Sequence, residues 1–261
     1  MSVSEITKFE TDGPAGEGLV EWDPISTDEL IEGEPVQRGH MYYDNKDTGL
    51  CAGVWDCTPM TGKMEPYSVN EFMHVLEGDV TIVHEDGSEL TVSAGESFVI
   101  PKGTMCSWKQ PNYIRKFFVI HDDASGAEAA DPSALRAMKI DTATPLQPTD
   151  VPDPTIFEGD APTQHEHTIY EDPTGQFIVG LWQSTPFERA AAPFNRCELM
   201  MPLEGSMTLM GDGTETAFGP GDATFVPEGA PCGWRSNEDV KKVYCIFMRK
   251  EAAVASADAA E

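Results

Sequence analysis

Two glutamates recur in one frame, Glu71 in VNEFMHVLEG (69–78) and Glu198 in RCELMMPLEG (196–205), an offset of 127. A cysteine closes a second shared frame, Cys106 in GESFVIPKGTMCSW (95–108) and Cys232 in GDATFVPEGAPCGW (221–234). A carboxylate facing a thiol can be read in three ways. The pair could bind a divalent ion such as Zn, Mn or Fe, although two or three ligands without imidazole make a poor site. A carboxyl group in an apolar interior has a raised pKa suited to proton transfer, with Tyr67 as partner. Or Glu71 is a buried, hydrogen-bonded carboxylate and Cys106 a small apolar filler. No basic residue evident beside Cys106 would activate it as a nucleophile.

Strand alternation groups the neighbours. Glu71, Met73 and Val75 share one face and Phe72, His74 and Leu76 the other, while Cys106 shares a face with Trp108. The first copy's pocket is therefore expected to present Tyr67, Glu71, Met73, Cys106 and Trp108, with Glu65 near the rim. The second copy offers Arg196, Glu198, Cys232 and Trp234 beside apolar Phe194 and Met200. Arg196, two residues from Glu198, is read as its structural ion-pair partner; an inward arginine could also hold a substrate carboxylate or phosphate. The first copy is expected to carry the function. His165-Glu166-His167 is placed ahead of the first strand of the second copy, and the recurrence of His167 as His40 suggests a cap on a barrel end. His74 is expected to face out of the first unit or to pack between units. Trp55 and Trp182 read as core anchors, with Gly53 and Gly180 leaving room beside the rings.

The elements that must position these groups are short and repeated. CAGVWDCT, EFMHVLEG, VTIVHED and KFFVIHD have counterparts in FIVGLWQST, CELMMPLEG, MTLMGDGTE and KVYCIFM, punctuated by turn residues. Many short strands with regular turns predict a sandwich or closed barrel. The division expected is an acidic extension over 1–36 that wraps the first barrel, a barrel over 37–122, and a linker over 123–155 with a short helix at Pro132–Met138. A second barrel over 156–249 and a frayed tail over 250–261 complete it.

Composition narrows the partners. With 17 basic against 45 acidic residues the net charge is −28, which repels nucleic acid and anionic membrane. No apolar run approaches the ~18 residues of a membrane span and no signal-peptide pattern opens the chain. The six cysteines form no CxxC pair, and a reduced, cytoplasmic protein is the expectation.

The pattern E-x6-G followed by G-x5-P-x-G resembles the two motifs of the cupin superfamily. The wording around it is similar to a branch that includes the ethanolamine-utilisation cupin and, distantly, the bicupin ureidoglycine aminohydrolases. The resemblance implies an all-β bicupin of two tandem jelly-roll barrels, each with a pocket at its mouth. It also implies a divalent metal held by HxH, the motif glutamate and a final histidine. Here the HxH positions fall on Glu65 and Tyr67 (Met64 and Pro66 with the longer spacing), and on Ala192 and Phe194 (Ala191 and Pro193) in the second copy. The final histidine is Cys106 or Cys232. No cofactor is therefore predicted. The expected function is binding, or hydrolase, lyase or isomerase chemistry, on a small polar metabolite in the first barrel. A metal-free sensing or structural bicupin, and a metal-dependent aminohydrolase or lyase with non-standard ligands, are the alternatives. A homodimer is expected.

Overall fold

Short runs of β-branched and aromatic residues, cut by Gly, Pro and Asp, favour pleated strands joined by tight turns. The computed structural model describes residues 5–151, 153–211 and 213–250, and in it these runs form four antiparallel sheets with no α-helix. The larger sheet of the first barrel runs in the order Met138–Lys139, Ser97–Ile100, Asn70–Glu77, Ile114–His121, Leu50–Cys57, Gln37–Asn45 and Val20–Glu21. Its smaller sheet is centred on Asp79–His84 and Met105–Gln110. The second barrel repeats the plan. Its larger sheet carries Ala223–Val226, Cys197–Glu204, Val240–Phe247, Phe177–Ser184 and Gln164–Glu171, and its smaller sheet Phe187–Pro193, Pro231–Ser236, Met207–Gly211 and Thr214–Phe218. The protein is an all-β pair of tandem jelly rolls. No helix of the described residues is long and apolar enough to cross a membrane.

Period-two alternation sorts the side chains into three cores. Met73, Val75, Phe98, Ile100 and Phe118 point into the first barrel. Met200, Leu209, Val226 and Trp234 point into the second. The alternate residues of both larger sheets, among them Phe72, Val99, Phe117, Phe177, Leu199 and Val243, meet in one cluster between the barrels. His74 lies on this face and lines a cleft of about 610 Å³ with Met201 and Leu203 of the other barrel.

Several expectations are corrected. The segment before residue 36 stays on the first barrel through Val20–Glu21 and Leu30–Glu32, but its start does not: Thr7–Phe9 pairs with Ala223–Val226 of the second barrel, while Phe9 stacks on Tyr42 of the first at 4.4 Å. The segment after the first barrel is tied down at both ends, Met138–Lys139 on Ser97–Ile100 and Gln147–Thr149 on Gln164–Glu171. The helix expected at Pro132–Met138 is a single 3-10 turn, Pro132–Ala134, because Leu135 is already extended and Met138 joins a sheet. His165-Glu166-His167 lies inside the strand Gln164–Glu171 rather than ahead of it. Gly53 and Gly180 make room for other atoms than the indole rings. A Cβ at Gly53 would meet the His40 carbonyl at 2.3 Å and Phe118 at 2.9 Å, and one at Gly180 the His167 carbonyl at 2.5 Å and Tyr244 at 2.5 Å. Each glycine thus fits the irregular pairing that follows His40 and His167. The tail from residue 251 lies outside the described residues.

Candidate functional site

Each barrel interior holds the same four-part cluster, and its central member is a lysine. In the first barrel Lys116 and Glu71 project inward from neighbouring strands, both nearly fully buried. Lys116 Nζ donates to Glu71 Oε1 at 2.7 Å and touches Met73 Sδ at 3.0 Å. Two indoles flank the ammonium, Trp55 at 4.9 Å and Trp108 at 4.8 Å from ring centroid to Nζ. Tyr67 donates its hydroxyl to Glu71 Oε2. Burial, then the adjoining carboxylate, pushes the Tyr67 hydroxyl well above its ordinary pKa, so it stays a donor. Both oxygens of Glu71 are thereby satisfied from within.

In the second barrel Lys242 Nζ donates to Glu198 Oε1 at 2.5 Å and lies 4.9 Å from the Trp182 centroid and 4.3 Å from that of Trp234. The other carboxylate oxygen accepts from Arg196 Nε at 2.8 Å. The expected Arg196–Glu198 ion pair is thus present. Burial alone would raise the Glu198 pKa, but the charges of Arg196 and Lys242 outweigh it and hold the carboxyl below its usual value. Burial draws the Lys242 ammonium down to about 8, despite Glu198.

The two clusters differ at three aligned positions. Tyr67 becomes Phe194, which has no hydroxyl; Val69 becomes Arg196; Gly62 becomes Arg189. Arg189 and Arg196 both lie over the Phe194 ring, at 5.6 and 5.2 Å. Arg189 Nε and Trp234 Nε1, from residues directly opposite each other across two strands, are buried donors with no partner among the described residues. These groups line a cavity of about 670 Å³ with Lys242 and Glu198 in its wall and Glu166, Asp150 and Asp153 among its other lining residues.

The remaining expected site residues fall as follows. Met73 and Trp108 are in the first cluster and Trp234 in the second. Cys106 is buried opposite Glu65 and His84 across the sheet, while Glu71 turns to Tyr67 and Lys116 instead of to the thiol. Glu65 is exposed on a two-residue edge strand. Burial pushes the thiols of both Cys106 and Cys232 up to about 11, so both are protonated at neutral pH. Gln164, Glu166 and Thr168 face the second cavity, which turns His165 and His167 away from it.

Lys116, Lys242 and Arg189 were missed. The lysines open the repeated runs KFFVIHD and KVYCIFM at an offset of 126, in phase with Phe118 and Tyr244, and that recurrence was the available signal. Arg189 could have been found as a departure from the repeat, since its counterpart is Gly62.

The model of the EutQ-like cupin domain matches residues 46–118 and 171–244. The chain is a tandem EutQ-like cupin. No curated protein matches it. Its fold is similar to a DUF861 protein of unknown function from Pseudomonas syringae pv. tomato, with 27% identity, 93% of this chain and 99% of that one covered, and a TM-score of 0.76. It is similar to Ylba of E. coli, also DUF861, with 9% identity, 96% and 94% covered, and a TM-score of 0.52. Salicylate 1,2-dioxygenase from Pseudoaminobacter salicylatoxidans has the same fold, with 15% identity, 76% and 71% covered, and a TM-score of 0.50.

The cupin resemblance implies a divalent metal, and the residues present do not fit one. In both barrels the motif glutamate has its two oxygens on protein donors, one of them a lysine ammonium. The position of the final histidine holds a protonated thiol. Among the described residues no three His, Cys, Asp or Glu side chains gather at a spacing that would hold an ion.

Proposed function

We propose that this cupin takes a small carboxylate-bearing metabolite, without a metal, in the mouth of the second barrel. The observation that carries the reading is a pair of unpaired buried donors there. Arg189, Arg196 and Lys242 gather around Glu198, with Asp150, Asp153 and Glu166 elsewhere in the lining, and among the described residues Arg189 Nε and Trp234 Nε1 have no acceptor. An unsatisfied buried donor costs free energy, and an anion in the cavity would relieve it. Three cations gathered at one inner carboxylate stand out in a chain of net charge −28. Aromatic sides from Trp182, Phe187 and Trp234 suit the carbon skeleton of a small acid. The first barrel has the same lysine–glutamate–indole unit, but Tyr67 completes it. That comparison supports a scaffolding role for the shared unit and a binding role for the two added arginines.

Calorimetry and thermal shift against small mono- and dicarboxylates test this. A hydrogen bond from a charged group contributes about 1.5–3 kcal/mol, so Arg196→Ala should weaken the best acid by roughly 10- to 150-fold. Tyr67→Phe, in the other barrel, should leave binding unchanged. If no small acid binds, or if Tyr67→Phe abolishes binding while Arg196→Ala spares it, the assignment fails.

A further inference from the structure

We propose that Lys242 is a nucleophile that condenses with the carbonyl of a 2-oxo acid bound in the second-barrel cavity, forming an imine. The inference rests on the carboxylate reading above and adds the reacting bond.

Placement is the first support. Lys242 Nζ and Arg196 Nε occupy the two oxygens of one carboxylate, that of Glu198. Cationic donors held one carboxyl group apart match a ligand whose carboxylate and carbonyl carbons are adjacent. Arg196 spends only Nε on Glu198, so its NH2 groups remain for the substrate carboxylate, with Arg189 against the same Phe194 ring. The second support is the proton acceptor already in contact. The Lys242 ammonium loses one proton to solvent, the amine lone pair attacks the carbonyl carbon, and Glu198 relays a proton from the new nitrogen cation to the alkoxide. The carbinolamine hydroxyl then takes one proton from solvent and leaves as water. One C–O double bond is replaced by one C–N double bond, one water is released, and the cation remains as the iminium. That iminium keeps the charge between Trp182 and Trp234 and beside Glu198, where the ammonium was. The third support is burial, which holds the lysine near the pH at which free amine is available. Arg189, Arg196, Glu198 and Tyr244 share this wall with Lys242, Cys232 lies behind it, and Glu166, Asp150 and Asp153 line the rest of the cavity.

The first barrel supplies a control within the same chain. Lys116 has an equivalent glutamate and two indoles but neither arginine, and Tyr67 takes the second oxygen of that glutamate. It should not react.

The experiment incubates the full chain with pyruvate and sodium borohydride and measures intact mass and peptide maps. The expected result is one reduced pyruvate adduct per chain, on the peptide carrying Lys242, absent at Lys116 and absent in Lys242→Arg. That variant keeps the cation and cannot form an imine. The labelling rate should climb about tenfold per pH unit below about 8 and level off above it. If pyruvate binds by calorimetry without an adduct, or if the adduct scatters over surface lysines, the imine is overturned while the anion cavity stands. If no small acid binds at all, both are overturned.

Discussion

Replacing Lys116 by Met should destabilise the protein far more than replacing it together with its partner. In the native first barrel the Lys116 ammonium holds Glu71 at 2.7 Å, touches Met73 Sδ at 3.0 Å and faces two indole rings within 5 Å. Met fills nearly the same volume, so little of the cost is cavity. What remains is a carboxylate about 5% exposed whose sole remaining donor is Tyr67. Breaking a buried pair from one side costs about 3–5 kcal/mol, whereas exchanging both members for neutral groups is often nearly neutral. Lys116→Met is therefore expected to lose about 3–5 kcal/mol, and Glu71→Gln with Lys116→Met to recover at least ~2 kcal/mol of it. Urea denaturation read by tryptophan fluorescence measures both, because Trp55 and Trp108 border the altered group. A loss below ~1 kcal/mol in the single variant, or no recovery in the double, would refute the view that the ion pair is buried and mutually dependent.

Two further outcomes are expected. Burial holds His74 neutral down to a pKa of about 4, against 6.5 ordinarily, so between those values the unfolded chain binds the extra proton. Stability should fall as pH drops through that window, by up to about 3 kcal/mol, and urea midpoints for His74→Gln should lose that slope; an unchanged slope would place the acid sensitivity elsewhere. Phe9→Ala should cost about 3–5 kcal/mol, since the ring is 3% exposed and stacked on Tyr42, and a cost under ~1 kcal/mol by calorimetric unfolding would contradict its place in the inter-barrel core.

The barrels were legible because their information is local and doubled. Alternation over 71–76 put Met73 and Val75 on the face that fills the first barrel and Phe72 on the opposite face, which the structure packs between the barrels. The crossing of Thr7–Phe9 was not legible, since a three-residue strand carries no period long enough to name its partner. Glu71 and Glu198 stood out through their frames, but what neutralises them did not. Lysine opening a strand reads as a solvated end, and only the barrel's closure turns it inward. Arg189 stayed hidden for the opposite reason. Its value lies in being unmatched, and a search for recurrence overlooks what one copy has gained.

The edge position of Thr7–Phe9 bears on how the chain assembles. Thr224 donates its hydroxyl to the Thr7 carbonyl across 217 residues of sequence. During synthesis Phe9 can settle on Tyr42 of the first barrel, but the strand pairing of these early residues must wait until nearly the whole second copy has left the ribosome. Splitting the gene between its copies would leave the later-made half without one border of its larger sheet.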